Sequence, residues 1–293
     1  MKKFITKISI YALLILVVLN GISLVVFKIH QNSKLYKPSF VKNTVAGKKY
    51  DYLVLGSSMG LTSLDTKLLD KINKTESLNA SMDDTSLGTH YLMLQHFIAN
   101  GGRANQLFIT ISPWDVANEN PKESTNDYRF LPFIYEDYVF QHFKEKLGWS
   151  HTLSLSYWQP FTGVSYYNLE MVASSAQALI QPEKRNRFDE KGNYSYPISG
   201  NSPNNQFKKL NLEWKNPYLE KIEKLAQENQ IELFYYQAPI YKLEVINNNQ
   251  DKRLINHANK LKDPSLFYDQ IHVNAKGRKQ ITKIFAEELL NTK

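Results

Sequence analysis

The feature that most constrains the fold is the alternation of short apolar runs with segments of helical period. Three runs read as buried strands because they are rich in β-branched and aromatic residues: "YDYLVLG" (50–56), "QLFITIS" (106–112) and "IELFYYQAP" (231–239). Between such runs, apolar residues recur at helical spacing, as at Leu61, Leu64, Leu68 and Ile72. Strands that alternate with helices predict an α/β fold with a parallel sheet covered on both faces.

Weaker patterns extend this order to the end of the chain. The remaining predicted elements are strands at 76–81 and 265–269, helices at 87–99, 216–230 and 249–261, and a last helix from about Asn274. In parallel sheets of this kind, ligands bind at the carboxyl ends of the strands. Ser57, Ser58 and Asp269 all fall at predicted strand ends, which makes them candidate site residues.

The alternation is interrupted between about residues 114 and 206, inside a domain predicted to span 50–293. The interruption is rich in aromatic residues and follows the third predicted strand. One interpretation is a substrate lid or partner surface above the carboxyl edge of the sheet. The other is a helical elaboration that is packed by its own aromatic side chains, and the sequence leaves both open.

The N-terminus carries an apolar run, Ile8 to Phe27, of 20 residues without a charge. Such a run is long enough to cross a bilayer, and the lysines within residues 1–7 favour a cytoplasmic N-terminus with the rest of the chain outside. A cleaved signal peptide is the alternative, but the run exceeds the usual apolar core and no small-x-small cleavage site follows it. The prediction is an uncleaved single-pass anchor, followed by a polar stalk over residues 28–49.

Composition excludes several classes of function. The chain has no cysteine, which rules out disulfides, zinc-thiolate sites, Fe–S clusters, a thiol nucleophile and a lipoprotein anchor. The net charge is +8, yet the basic residues are scattered, so nucleic acid is not an expected partner. A basic surface also suits an anionic membrane or cell-wall polymer. Asp83 and Asp84 lack a third metal ligand at useful spacing, so neither a metal nor another cofactor is expected.

Two short stretches combine into a candidate catalytic constellation. "VLGSSMGLTSLD" (54–65) places a serine on the turn between a buried strand and a helix, and "FYDQIHVNAKGR" (267–278) places an acid three residues before a histidine. Serine attacks a carbonyl only when a base takes its proton, and a histidine base needs an acid that fixes its tautomer. A different interpretation makes Ser58 a helix cap and Asp269 with His272 a capping pair.

With these motifs in order, the chain resembles the SGNH (GDSL-like) hydrolase superfamily, in particular its membrane-anchored bacterial cell-envelope branch. Gly56-Ser57-Ser58 is similar to the family's first block, and Asp269-Gln270-Ile271-His272 to its last. The resemblance implies a flavodoxin-like, three-layer α/β/α fold. It also implies that Ser58 is the nucleophile, His272 the base and Asp269 the acid that orients it. It covers about residues 50–112 and 216–293.

The chain departs from the family at the oxyanion hole. "NASMDDTSLG" (79–88) stands where the second block has an Asn and a Gly; Asn79 matches the Asn, whereas Asp84 takes the approximate place of the Gly. The third block, Gly-x-Asn-Asp, is absent. Asn79 is therefore the expected oxyanion residue, and Trp114, Asp115 and Asn118 are further candidates by location alone.

The resemblance implies an exported serine esterase or O-acyltransferase that acts on acyl esters of a cell-envelope glycan or similar polymer. Its partners would be the membrane, through the N-terminal helix, and possibly a membrane-bound acyltransferase. The alternative is a catalytically weak or inactive accessory protein of an envelope polysaccharide modification complex, and the missing third block motivates it.

Overall fold

The computed structural model describes residues 1–198, 203–204 and 206–291, and they form two compact units. One unit combines Met1–Asn43 with Asp127–Asn186, and the other combines Thr44–Asn126 with Arg187–Lys293. We call them the N-terminal unit and the sheet unit. Residues 199–202 and 205 of the predicted insertion, and 292–293 of the predicted domain, lie outside the described residues.

Strands and helices alternate along most of the chain. The strands are β1 (Lys49–Leu55), β2 (Ser77–Asn79), β3 (Arg103–Ile111), β4 (Lys208–Asn211), β5 (Glu232–Gln237), β6 (Leu243–Ile246) and β7 (Leu254–Asn256). The helices are α1 (Lys2–Gln31), α2 (Lys37–Val45), α3 (Ser58–Ser63), α4 (Thr66–Asn73), α5 (Leu87–Ala99), α6 (Pro113–Val116), α7 (Asp137–Leu147), α8 (Thr152–Leu155), α9 (Pro160–Tyr166), α10 (Ser174–Ile180), α11 (Tyr218–Glu228) and α12 (Ala275–Asn291). Short 3₁₀ segments cover Asp127–Phe133 and Pro264–Leu266, and a π-helical turn covers Leu169–Ala173.

The sheet unit is built on a parallel sheet in the order β2-β1-β3-β5-β7, with helices on both sides. Leu53 of β1 pairs with Leu107 of β3, and Leu107 pairs with Leu233 of β5. The central strands carry continuous apolar runs because both of their faces are buried. The predicted α/β fold with a parallel sheet is therefore confirmed. A second, two-stranded parallel sheet joins β4 to β6.

Two predicted elements near the C-terminus are wrong. The helix expected at 249–261 is absent from this described stretch, where Leu254 and Ile255 instead pair with β5 as the fifth strand of the sheet. Asn249 helps to break the helix, because its side chain accepts the backbone N–H of Asp251 at 3.0 Å. The strand expected at 265–269 is a 3₁₀ turn followed by a single antiparallel bridge between Phe267 and Val273.

The N-terminal unit contains one helix, α1, that is long and apolar enough to cross a membrane. The polar stalk predicted at 28–49 is wrong, since α1 continues to Gln31 and α2 follows it. Leu35, Phe40 and Val41 are at most 3% exposed. These apolar side chains are sparse in sequence but fall on buried faces, so the segment packs as part of the folded unit.

The residues of the predicted insertion, 114–206, are divided between the two units. Its middle, Asp127–Asn186, clusters with the N-terminal segment, whereas the flanking residues belong to the sheet unit. The middle is largely helical and contains close aromatic pairs, such as Tyr128 with Tyr167 at a centroid distance of 4.7 Å. The helical alternative therefore describes this part of the chain.

Candidate active site

Ser58 is the first residue of α3 and follows β1 after a two-residue turn. A side chain at Gly56 or Gly60 would clash with its neighbours. A Cβ on Gly56 would lie 2.8 Å from Cβ of Thr110, and a Cβ on Gly60 would lie 2.7 Å from Oγ of Ser81. Both glycines therefore let the turn close against β3 and the chain after β2. Ser57 is the N-cap residue in an extended conformation, and Ser58 is the first helical residue.

The loop before α12 holds Asp269 and His272 in a fixed arrangement. Oδ1 of Asp269 accepts the backbone N–H groups of Ile271 and His272 at 2.9 and 2.8 Å. Asn274 closes the loop, because its fully buried side chain donates to the carbonyl of Ser265 at 2.8 Å and accepts from the N–H of Lys276 at 3.0 Å. Sequence reasoning missed Asn274, although an Asn directly before a helix is a capping signal.

The structure brings Ser58, His272 and Asp269 together in one hydrogen-bonded chain. Nδ1 of His272 lies 2.8 Å from Oδ2 of Asp269, and Nε2 lies 2.8 Å from Oγ of Ser58. An ionised carboxylate can only accept, so Nδ1 carries the proton and donates it to Asp269. Nε2 is then the acceptor for the Ser58 hydroxyl, which is the tautomer that a general base requires.

Asp269 remains ionised well into mild acid. Partial burial acts to raise the pKa of its carboxyl, but the hydrogen bonds from the His272 ring and from the Ile271 and His272 N–H groups outweigh this effect. The pKa of Asp269 therefore lies below its usual range. An ionised Asp269 keeps the imidazole oriented across the neutral pH range.

Tyr196 is a site residue that sequence reasoning missed. Its ring stacks on that of Tyr268 with centroids 4.3 Å apart, and it lies 5.1 Å from the His272 ring. Its carbonyl accepts the N–H of Ala275 at 3.0 Å, which ties this segment to the start of α12. Tyr196 falls in the predicted insertion, and its sequence context gives no sign that it packs against the histidine.

Asn79 is not available as an oxyanion donor, so that prediction is wrong. Its side chain is 0% exposed, and Nδ2 donates to the carbonyl of Gly60 at 3.0 Å. Its backbone N–H donates to the carbonyl of Lys191 at 2.8 Å, and Oδ1 accepts the N–H of Ser81 at 3.0 Å. The polar atoms of Asn79 are thus paired within the protein, and its side chain stabilises α3, the helix that Ser58 begins, through the carbonyl of Gly60.

An open cleft of about 570 Å³ adjoins Ser58, and its lining is rich in hydroxyl groups. The lining includes Ser57, Ser58, Thr85, Ser86, Thr110, Ser112, Ser124 and Thr125. Trp114 lies at its edge with 56% of its surface exposed, and Asn118 also lines it. Asp115 has a structural role instead, because Oδ2 accepts the N–H of Leu87 at 2.7 Å and its carbonyl accepts Nδ2 of Asn216 at 2.8 Å.

Asp84 lines the same cleft in a conformation that normally favours glycine. Its φ is 51°, in the left-handed region. Among the hydrogen bonds of the described residues, the backbone N–H groups of Ser58 and Asp84 have no protein acceptor. Both residues line the cleft, so their N–H groups are candidate donors for an oxyanion.

If Ser58 is a nucleophile, Asp84→Gly should leave its turnover of p-nitrophenyl acetate unchanged or raise it. The change keeps the backbone N–H, removes a negative charge from the cleft and relieves a left-handed conformation that costs a non-glycine residue about 1 kcal/mol. Steady-state rates and thermal unfolding of the variant and the wild type test this. A loss of more than about tenfold in kcat/KM would mean that the carboxylate itself contacts the substrate.

No protein-family model matches this chain, and no curated protein is significantly similar to it. The resemblance to SGNH hydrolases therefore remains a prediction from the two motifs.

Within the described residues, no three His, Cys, Asp or Glu side chains are grouped as metal ligands. Asp83 accepts Nδ2 of Asn126 at its carbonyl, at 2.8 Å, and at its carboxylate, at 3.2 Å.

Proposed function

We propose that this chain is a membrane-anchored serine esterase or O-acyltransferase of the SGNH type. The observation that carries the proposal is the continuous chain of hydrogen bonds from Asp269 through His272 to Ser58, with both side-chain distances at 2.8 Å. If Asp269 and His272 only capped the loop, nothing would require Nε2 of His272 to lie within hydrogen-bond distance of the Ser58 hydroxyl, which follows a different strand. The three-layer, flavodoxin-like fold of that family is consistent with the parallel sheet.

The reaction begins when Nε2 of His272 takes the hydroxyl proton of Ser58 and Oγ attacks the carbonyl carbon of an ester. The carbonyl becomes an oxyanion, which collapses and expels the alcohol; this alcohol leaves with the proton from Nε2. Oγ of Ser58 then carries the acyl group. A water molecule or an acceptor hydroxyl gives its proton to Nε2, attacks the acyl-serine and restores Ser58 in the reverse sequence.

The oxyanion would be held by the backbone N–H groups of Ser58 and Asp84. Both residues line the cleft, and neither N–H group has a protein acceptor among the described residues. Donors that point at the developing charge typically contribute a factor of about 10² to 10³ in kcat. Backbone donors at these positions would compensate for the absent Gly-x-Asn-Asp block.

The substrate we propose is an acyl ester carried by a polyhydroxylated polymer, such as an envelope glycan. The cleft is open, so a long chain can cross it, and its hydroxyl groups offer both donors and acceptors to a sugar. The exposed ring of Trp114 supplies an apolar face at the edge of the cleft. If water accepts the acyl group, the enzyme is an esterase; if a sugar hydroxyl accepts it, the enzyme is a transferase. In the second case, a membrane-bound acyltransferase could be the partner that supplies the acyl groups.

The location we propose is the membrane, with residues 1–7 in the cytoplasm and the chain from Lys28 onward outside. The apolar helix α1 supports an anchor, and the lysines before it support the orientation. Such a location suits a polymer of the cell envelope as substrate.

The test of the proposed function is turnover of p-nitrophenyl acetate by the full-length protein in detergent, beside the Ser58→Ala variant. We expect hydrolysis that depends on Ser58. Equal rates for the two proteins, at the level of the buffer blank, would favour the alternative of a catalytically inactive accessory protein.

Activity should rise with pH through a single step. His272 can take the Ser58 proton only when its ring is neutral, so protonation of the ring at low pH removes the base. The lowered pKa of Asp269 keeps that carboxylate ionised across the neutral pH range, so it adds no second step. A profile of kcat/KM from about pH 5 to 8 checks this, and a flat profile would argue against a histidine base.

A further inference from the structure

The outer half of α1 has one covered face. Leu16, Leu19 and Asn20 are partly buried, and the residues that follow on the same face are buried: Ser23, Val26, Phe27 and His30. The spacing of three and four residues defines a single stripe along the helix. The rest of this half is exposed and apolar, as at Ile22 and Val25, with 54% and 59% of their surfaces exposed. Other parts of the N-terminal unit therefore pack along one side of a helix that is apolar enough to span a membrane.

The stripe is covered by α9, the π-helical turn and α10. The N–H of Phe161, in the first turn of α9, donates to Oδ1 of Asn20 at 3.1 Å. Nε2 of His30 lies 3.0 Å from the carbonyl of Met171, and the N–H of Lys34 donates to the carbonyl of Pro182 at 2.7 Å. The first two contacts lie on α1 and the third lies just beyond its end, so the segment follows the helix from Asn20 toward its C-terminus.

One of these contacts falls within the expected membrane span. Lys7 and Lys28 bound the charge-free run of α1, which has the length that a bilayer core requires. Asn20 precedes Lys28 by eight residues, or about 12 Å along a helix. The first turn of α9 is thus held to α1 within the run that is expected to cross the membrane.

The surface that this segment presents to its surroundings is largely apolar, with a few exposed polar side chains such as Gln159 and Asn168. Between residues 149 and 169 the chain has no Asp, Glu, Lys or Arg. The large exposed side chains include Trp149, Trp158, Tyr166 and Leu169, which are 53% to 74% exposed. An apolar surface of this extent is rare on a protein face in water and marks an interaction surface.

The backbone of the segment is also suited to an apolar environment. Between the helices, the N–H groups of Tyr157, Trp158 and Tyr167 donate to carbonyls of the same segment at 3.2, 3.0 and 2.9 Å. Backbone groups in lipid must be satisfied internally, because no water is there to pair with them. Beyond the segment, Lys184 and Arg185 supply positive charges of the kind that anionic head groups attract.

We propose that residues 149–169 are a second membrane-embedded surface, which lies in the outer leaflet beside the outer end of α1. Lipid is the occupant that the observations favour, since the segment is packed on a membrane helix, exposes Trp and Tyr together with Leu, and lacks charge. Aromatic residues of this kind concentrate at the bilayer interface. The N-terminal unit is then held by a helix and an embedded face together, independently of the proposed catalysis.

The chain contains no cysteine, so single cysteines can report on this surface. We would place a nitroxide label at Trp158→Cys, Tyr166→Cys and Leu169→Cys in the full chain, reconstituted in vesicles of phosphatidylethanolamine and phosphatidylglycerol. Gln141→Cys, an exposed site on α7 of the same unit, is the matched control. Power-saturation measurements with oxygen, which enters lipid, and with a water-soluble nickel chelate compare the two environments.

The expected result is loss of nickel access and high oxygen access at positions 158, 166 and 169, with the reverse at position 141. Nickel access at the three test positions equal to that at 141 would overturn the proposal, and would point instead to a protein partner that covers this face in the cell. Far-UV circular dichroism of each variant shows whether the label has left the fold intact. Hydrolysis of p-nitrophenyl acetate is measured separately, so that failure of one proposal is distinguishable from failure of the other.

Discussion

Ser58→Ala should abolish turnover, with a loss of at least about 10³-fold in kcat, because the variant has no nucleophile for Nε2 of His272 to activate. His272→Ala should cost about as much, since the serine hydroxyl then keeps its proton. The double variant should be little worse than either single variant, because the two residues act as one unit. Steady-state kinetics on p-nitrophenyl acetate measure all three.

Two neighbours serve as controls for this prediction. Ser57→Ala should keep most of the activity, because Ser57 is the N-cap residue and the hydrogen bond from His272 goes to Ser58. Asp269→Asn should be less severe than loss of His272, since it disturbs the tautomer but leaves nucleophile and base present. An active Ser58→Ala variant beside an inactive Ser57→Ala variant would contradict the assignment.

Gly277→Ala should destabilise the protein and impair the site, although Gly277 is not part of the hydrogen-bonded chain of Asp269, His272 and Ser58. A Cβ at this position would lie 2.1 Å from the carbonyl oxygen of Leu266, a backbone atom that cannot move without the loop. Overpacking of this kind costs about 1–3 kcal/mol or more. The loop in question carries Asp269 and His272, so the shift that relieves the clash should also weaken the contact with Ser58.

Thermal unfolding and esterase rates, measured on the same samples, check the Gly277 prediction. Lys276→Ala is the matched control, because it is an exposed position one residue earlier in α12 and should change neither quantity appreciably. If Gly277→Ala kept both the stability and the activity of the wild type, α12 would have to lie farther from the 3₁₀ turn at Pro264–Leu266 than it does in this structure.

The parallel sheet was predictable because its central strands are buried on both faces. Runs such as "YDYLVLG" and "QLFITIS" therefore stand out without any knowledge of their neighbours. β7 did not stand out, since it contributes three residues at the edge of the sheet and its pairing with β5 is a long-range contact. The segment at 28–49 was misjudged for a related reason: its few apolar residues are buried only because distant parts of the chain cover them.

The site was predictable where a short motif fixes its own geometry. Asp269 and His272 are three residues apart, and backbone hydrogen bonds within that interval set their arrangement. Asn79 and Tyr196 depend on distant partners instead. The amide of Asn79 faces the carbonyl of Gly60, and the ring of Tyr196 packs near His272, which the sequence alone does not reveal.

The measurement that tests the central claim most directly is covalent labelling with a serine-reactive fluorophosphonate, followed by mass spectrometry of the intact protein and its peptides. The probe traps a serine only where a base activates it and an oxyanion site receives the phosphoryl oxygen. We expect one adduct per chain, on the peptide that contains Ser58, and loss of labelling in His272→Ala. An unlabelled wild-type protein, or an adduct on another residue that persists in Ser58→Ala, would contradict it.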